Sequence, residues 1–247
     1  MLEFGLLLGA VGLMLGGILK GATGAGAPLL AVPLLAVIYD VPFAVAVFTI
    51  PSLLSNIWQG WHFRAFQGSP SFVFAFAGAA AVGAAVGSVL LVTLSASILF
   101  AAVGAAVFLY IAFRIARPEW VLGERIAQTI VGPVGFMSGV MQGAVGISAP
   151  ISLTFLNAMR LPRERFIAVV SVFFAAMAVV QIVALIAVGV LTAERAVISL
   201  AASAPLFGGM PIGAWLGKRF SRETFDKVML AILAVVSLRL FVEAVVG

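Results

Sequence analysis

The sequence predicts an all-α polytopic membrane protein made of two inverted-topology repeats, each a broken-helix hairpin followed by three transmembrane helices. Three observations carry that prediction. The first is composition: 64% of the 247 residues are hydrophobic, only 9% are charged, and the mean hydropathy is +1.25, against about 25% charged in soluble domains. The second is a repeated motif. Lys20-Gly21-Ala22-Thr23-Gly24-Ala25-Gly26-Ala27-Pro28 returns 122 residues later as Gln142-Gly143-Ala144-Val145-Gly146-Ile147-Ser148-Ala149-Pro150, with Gly21, Gly24 and Pro28 falling on Gly143, Gly146 and Pro150. The third is the placement of Lys and Arg, which settles topology.

Apolar segments lie at 4–19, 27–38, 42–60, 71–91, 96–114, 126–141, 149–158, 166–190, 196–217 and 225–246. Runs of this length suit helices, since barrel strands would be short and alternating. The first run follows Glu3 with no basic residue before it, so it is read as structure rather than as a cleaved leader. Segments 27–38 and 149–158 are too short to cross about 30 Å of hydrocarbon, and each follows a glycine-rich break. The stretches 4–38 and 126–158 are therefore paired half-helices.

Each broken element either crosses once or returns to its own side. If each crosses, five basic residues stand against seven across the bilayer, which gives no orientation. If each returns, Arg64, Arg114, Arg117, Arg125, Arg160, Arg163, Arg165, Lys218, Arg219, Arg222 and Lys227 share one side and Arg195 is alone opposite. That is a positive-inside pattern, so both elements are read as hairpins. Six full crossings follow, with both termini outside. Each half holds an odd number of crossings, which inverts the second half relative to the first, as in transporters that bind substrate near the midplane. Other positions repeat too: Gly83, Gly87 and Ser95 match Gly209, Gly213 and Ser221 at an offset of 126, and Gln59 matches Gln181 at 122. The charged stretch 116–124 joins the halves. The chain is read as one transmembrane domain, residues 1–247, with repeat 1 about 1–115 and repeat 2 about 125–247.

The net charge of +5 is a topology signal here rather than a nucleic-acid patch, because the cations sit between apolar runs. Nucleic acid is not an expected partner. With no cysteine and only His62, the chain offers no thiol chemistry and no imidazole cluster, and no cofactor is expected. No nucleophile–base pair suggests an enzyme. The expected partners are the lipid bilayer and a small anionic substrate; a homo-oligomer is left open.

Lys20 is the residue that suggests the anion. A charge at mid-bilayer costs at least about 2.5–3.5 kcal/mol on insertion scales, and every Asp and Glu lies in a loop or at a segment end. The alternative is that Lys20 caps its helix's carbonyls or snorkels to water. The glycine breaks free backbone N–H groups, and Pro28 and Pro150 suit the first turns of helices whose positive ends face the ligand. The candidate binding residues are Lys20, Thr23, Gly24, Gly26, Ala27 and Asn56 in the first half, with Gln142, Gly146 and Ser148 in the second. Asn56, Gln59 and Gln181 either line a pathway or bond helices together. Gly83, Gly87, Gly209, Gly213 and Gly217 read as packing faces, Trp58, Trp61 and His62 beside Arg64 as an interfacial belt, and Arg239 with Glu243 as a structural pair.

The two glycine-rich segments leading into Pro28-Leu29-Leu30-Ala31-Val32-Pro33-Leu34-Leu35 and Pro150-Ile151 resemble the sulfite exporter TauE/SafE family, also called TSUP. The resemblance extends over nearly the whole chain, including the small-residue helix around Gly209–217. It implies a membrane transporter of small sulfur-containing anions, such as sulfite or organosulfonates, in a bacterial inner membrane. The copies differ where Ser148 stands for Gly26 and Phe155 for Pro33, so the half-sites need not contribute equally.

Overall fold

The computed structural model describes residues 2–116, 121–219 and 222–246, with side chains for 5–116, 121–219 and 230–245. Arg117, Pro118 and Glu119 of the joining stretch, Ser221 of the repeat, and the side chains of Arg222 and Lys227 lie outside that description. The described chain is helical, with ten α-helices: α1 (Leu2–Thr23), α2 (Ala27–Ile38), α3 (Val41–His62), α4 (Pro70–Thr93), α5 (Ala96–Ala116), α6 (Glu124–Val145), α7 (Ala149–Ala158), α8 (Arg163–Ala187), α9 (Ala193–Arg219) and α10 (Arg222–Val246). α1, α3, α4, α5, α8 and α9 are each long and apolar enough to cross a membrane. The protein is an integral membrane protein of the all-α class.

The breaks are narrower than the sequence suggests. α1 runs on through Lys20 and Gly21 to Thr23, and α6 runs on to Val145, so each first arm is a 22-residue helix rather than a half-helix; only α2 and α7 are short. Gly21 interrupts nothing. Glycine in a helix interior costs about 1 kcal/mol relative to alanine, and here the missing side chain admits a neighbour: a Cβ at Gly21 would stand 1.9 Å from the carbonyl oxygen of Met210.

Glycine contacts fix the helix directions. Along α1, Gly5 packs on Tyr39, Gly9 on Leu35, Gly12 on Leu34 and Gly16 on Ala27 and Ala31. Rising numbers on α1 meet falling numbers on α2, so the pair is an antiparallel hairpin. α1 and α9 instead run parallel, with Gly17 against Leu206, Gly21 against Met210, and Gly213 against Ile18. α6 runs parallel to α4 in the same manner, with Gly139 against Ala80, Gly143 against Ala84, and Gly87 against Val140. At these crossings a Cβ would come within 1.9–2.3 Å of a carbonyl oxygen, so backbones touch as in small-residue membrane packing.

Between helices that are not neighbours in sequence, the principal contacts are α1 with α9, α4 with α6, α3 with α8, α4 with α8, α3 with α9, and α5 with α10. Exchanging the first five helices for the second five maps this set onto itself. The core is mostly apolar with a few buried polar side chains, and one junction is aromatic. Phe72 and Phe76 of α4, Phe155 of α7 and Phe173 of α8 stack there, with Phe76 and Phe173 at 4.0 Å between ring centres.

One end of the bundle gathers the basic residues. Arg64 follows α3, Arg114 ends α5, Arg125 begins α6, Arg160, Arg163 and Arg165 lie between α7 and α8, and Lys218 and Arg219 end α9. Arg195 lies at the other end, with its guanidinium 5.6 Å from the Phe43 ring centre.

Candidate functional site

Lys20 sits in the last turn of α1 with only 3% of its surface exposed. Its Nζ donates to Asn56 Oδ1 at 2.6 Å. Asn56 in turn donates through Nδ2 to Ser52 O at 2.7 Å, which fixes the amide with its oxygen toward the ammonium. Lys20 thus neither snorkels nor caps its own helix; it donates to a neutral amide from another helix, and an ammonium has three donors. Asn56, which either lined a pathway or bonded helices by sequence, bonds α3 to α1 at the ammonium itself.

α3 is shaped to make that contact. Pro51 lies inside it and removes the N–H that would bond the Val47 carbonyl. Ser199 Oγ of α9 donates to Val47 O at 2.8 Å instead, so the freed acceptor is satisfied inside the protein, as a membrane helix requires.

The turn after α1 uses glycine where the backbone demands it: Gly24 and Gly26 have φ of 84° and 91°, in the left-handed region. Gly24 N–H bonds Lys20 O at 2.7 Å, and Ala25 N–H bonds Thr23 Oγ1. That leaves Gly26 and Ala27 as the candidate backbone donors of this turn. Thr23 is exposed, and its hydroxyl bonds Leu19 O and Ala25 O of its own turn, which stabilises the tip. In the second break Gly146 has φ 72° while Ser148 has an ordinary φ of −110°, which is why serine can stand where the first copy needs Gly26. Ser148 is buried and accepts from Ser152 at 3.2 Å.

The two tips do not meet. Lys20 is level with Asn56, six residues before the end of α3, about 9 Å from the basic end at 1.5 Å per residue. Gln142 receives Gln181 Nε2 on its backbone oxygen at 3.1 Å, and Gln181 is six residues before the end of α8, about 9 Å from the opposite end. Gly24 packs on Ile167 near the start of α8, and Gly146 on Val45 near the start of α3. Lys20 and Gln142 are thus separated by roughly 15 Å along the helices. Lys20, Asn56, Gly24, Gly26 and Ala27 form one group, and Gln142, Gly146 and Ser148 another.

Sequence reasoning passed over Ser52, which orients Asn56, and Ser171 of α8. Ser171 lies across from Gly60, where a Cβ would be 3.6 Å from its own. Among the described residues, four buried side-chain oxygens lack a partner: Gln59 Oε1 and Ser171 Oγ toward the basic end, Gln142 Oε1 and Ser138 Oγ toward the other. A half-open pocket of about 380 Å³ lies elsewhere, lined by Asp40, Val41, Leu91, Leu94, Leu99, Phe100 and Val190 among others. Its walls are mostly apolar and it does not reach Lys20.

An antiparallel first hairpin, glycine-to-backbone crossings and a buried ammonium with no carboxylate partner among the described residues define a polytopic helical membrane protein with a buried cation. The family model described as Sulfite exporter TauE/SafE matches residues 8–240. The chain belongs to the TauE/SafE family, membrane transporters of sulfite and related sulfur anions. No curated protein and no solved structure matches it.

Proposed function

We propose that this protein is a secondary transporter that moves a small sulfur-containing anion, an organosulfonate or a sulfite-like ion, by alternating access between two inverted repeats. The observation that carries the reading is the Lys20 ammonium, buried, held at 2.6 Å by Asn56, and provided with no carboxylate among the described residues near it. A desolvated cation gains most from a ligand of opposite charge, and a sulfonate offers three acceptor oxygens on one negative charge. The backbone donors at Gly26 and Ala27 and the positive start of α2 add to the same field.

Inversion is supported by helix direction. α1 and α2 are antiparallel, α9 follows α1 and α6 follows α4; with alternation along the short connections, α6 then points opposite to α1. Placing the basic end in the cytoplasm satisfies the positive-inside rule and puts both termini outside. Single cysteines at Asp40 and Arg163, in a chain with none of its own, should react and resist, respectively, when intact cells meet a membrane-impermeant thiol reagent; the reverse pattern overturns the orientation.

Substrate class is tested by thermal shift of purified protein with sulfite, thiosulfate, 2-hydroxyethanesulfonate, sulfoacetate and plain carboxylates, since a native-state ligand raises apparent stability. Shifts confined to the sulfur anions support the proposal. Equal shifts with carboxylates would make the protein a general anion permease, and unitary currents in bilayers would make it a channel.

A further inference from the structure

The Lys20 end contains a second kind of polar group that the anion reading leaves unused. Gln59 follows Asn56 by three residues on α3, a spacing that puts both on one helix face. Ser171 stands opposite the same turn across the α3–α8 contact, beside Gly60. One turn before Ser171, Ile167 packs against Gly24 of the hairpin tip. The tip, the last turns of α3 and the first turns of α8 thus pack against one another, which brings Lys20, Asn56, Gln59 and Ser171 to the same end of the bundle. Gln59 is 4% exposed and Ser171 is fully buried, yet Gln59 Oε1 and Ser171 Oγ have no hydrogen-bond partner. Three other buried hydroxyls satisfy themselves on the carbonyl four residues back, Thr49 on Val45, Ser88 on Ala84 and Ser152 on Ser148. Ser171 does not, so its oxygen remains open to another donor. An unmet buried acceptor costs free energy that a ligand carrying a donor recovers.

Resting on the anion reading above, we propose that Gln59 and Ser171 form an acceptor subsite next to the Lys20 ammonium, and that the preferred substrate is a small sulfonate bearing a hydrogen-bond donor, such as a hydroxyl, on its short carbon chain. The sulfonate meets Lys20, and the donor at the far end of the molecule meets the Gln59 carbonyl and the Ser171 oxygen. Gln59 and Ser171 then determine specificity, while Lys20 supplies the charge. A site whose buried acceptors need a substrate donor discriminates sharply against an analogue that lacks one.

The test compares ethanesulfonate with 2-hydroxyethanesulfonate, which differ by one hydroxyl, by isothermal titration of purified full-length protein. Wild-type protein should bind the hydroxylated compound about tenfold more tightly or better, and the Gln59→Leu, Ser171→Ala double variant should bring the ratio below about threefold. Equal affinity of the two compounds for wild-type protein would overturn the subsite while leaving the anion site standing. Binding of neither compound, nor of sulfite or thiosulfate, would overturn the anion site and the subsite together. The wild-type ratio is decisive even where the double variant fails to fold.

Discussion

α3 and α8 occupy equivalent places in the two halves, and they have been put to different uses. Both keep a buried glutamine at matching positions, Gln59 and Gln181, and both pack against the partner half's glycine tip. Where α3 has Pro51, Ser52 and Asn56, however, α8 has Phe173, Phe174 and Ala178. The first set yields a proline gap closed by Ser199 and an amide that holds Lys20. The second yields a dry aromatic stack with Phe76 and Phe155, and the tip it serves carries Gln142 in place of lysine. The two halves share the backbone geometry, which glycine dictates, and differ in the electrostatics, which it does not. One hairpin tip carries a buried charge, and the other carries a neutral amide.

If the two halves share a backbone scaffold, their glycine crossings should be equally intolerant. Gly21→Val and Gly143→Val each drive a side chain into a carbonyl oxygen, at 1.9 Å and 2.3 Å from the Cβ alone. Overpacking of this kind costs about 1–3 kcal/mol, occasionally more, and where backbone meets backbone the cost belongs at the upper end. Both variants should lose the monodisperse peak in detergent chromatography; survival of one alone would break the equivalence.

The ligand-binding comparison should be unequal. Lys20→Gln gives the first tip the side chain of the second and should weaken anion binding by about 2–3 kcal/mol, or roughly 30- to 150-fold. Gln142→Leu should change the same affinity by less than about threefold, under about 0.7 kcal/mol. Asn56 sharpens the point. Asn56→Leu leaves a buried ammonium without its partner and should lower stability by about 1.5–3 kcal/mol, read as a fall in melting temperature. Asn56→Asp should keep the fold but place a carboxylate on Lys20 and reduce anion affinity at least about tenfold. The smallest effect belongs to Thr23→Val, within about twofold on affinity, because that hydroxyl is exposed and occupied by Leu19 and Ala25 of its own turn.

Most of the scaffold was legible in the sequence because it rests on local rules. Hydropathy marks helices, the repeated glycines mark the hairpins, and the Lys/Arg distribution matches the clustering of basic residues at one end of the bundle. The small-residue faces around Gly83, Gly87, Gly209 and Gly213 pack as expected, Arg239 pairs with Glu243 at 2.6 Å, and Trp58, Trp61, His62 and Arg64 form an exposed aromatic and cationic group. Gly21 misled because a helix-breaking residue and a helix-contact residue look alike without the neighbour. The Lys20–Asn56 bond joins residues 36 apart on two helices, and the Ser199–Val47 bond spans 152; both depend on helix register, which composition does not encode. The axial separation of the tips was hidden for the same reason. It follows from α1 running a turn or more past the start of α2, a difference in arm length that becomes clear only once the first helix is known to continue through Gly21. Thr23 could have been placed, since a threonine bonding the carbonyl four residues back is a local habit of helix ends.

Anion recognition turns on the ammonium at the charged end, and equilibrium binding tests this most directly. Titration of purified wild-type and Lys20→Gln proteins with one sulfonate, each confirmed folded by chromatography, should show saturable binding to the first and a loss of at least about thirtyfold in the second. Equal affinity in the two would contradict the claim that Lys20 is what holds the anion.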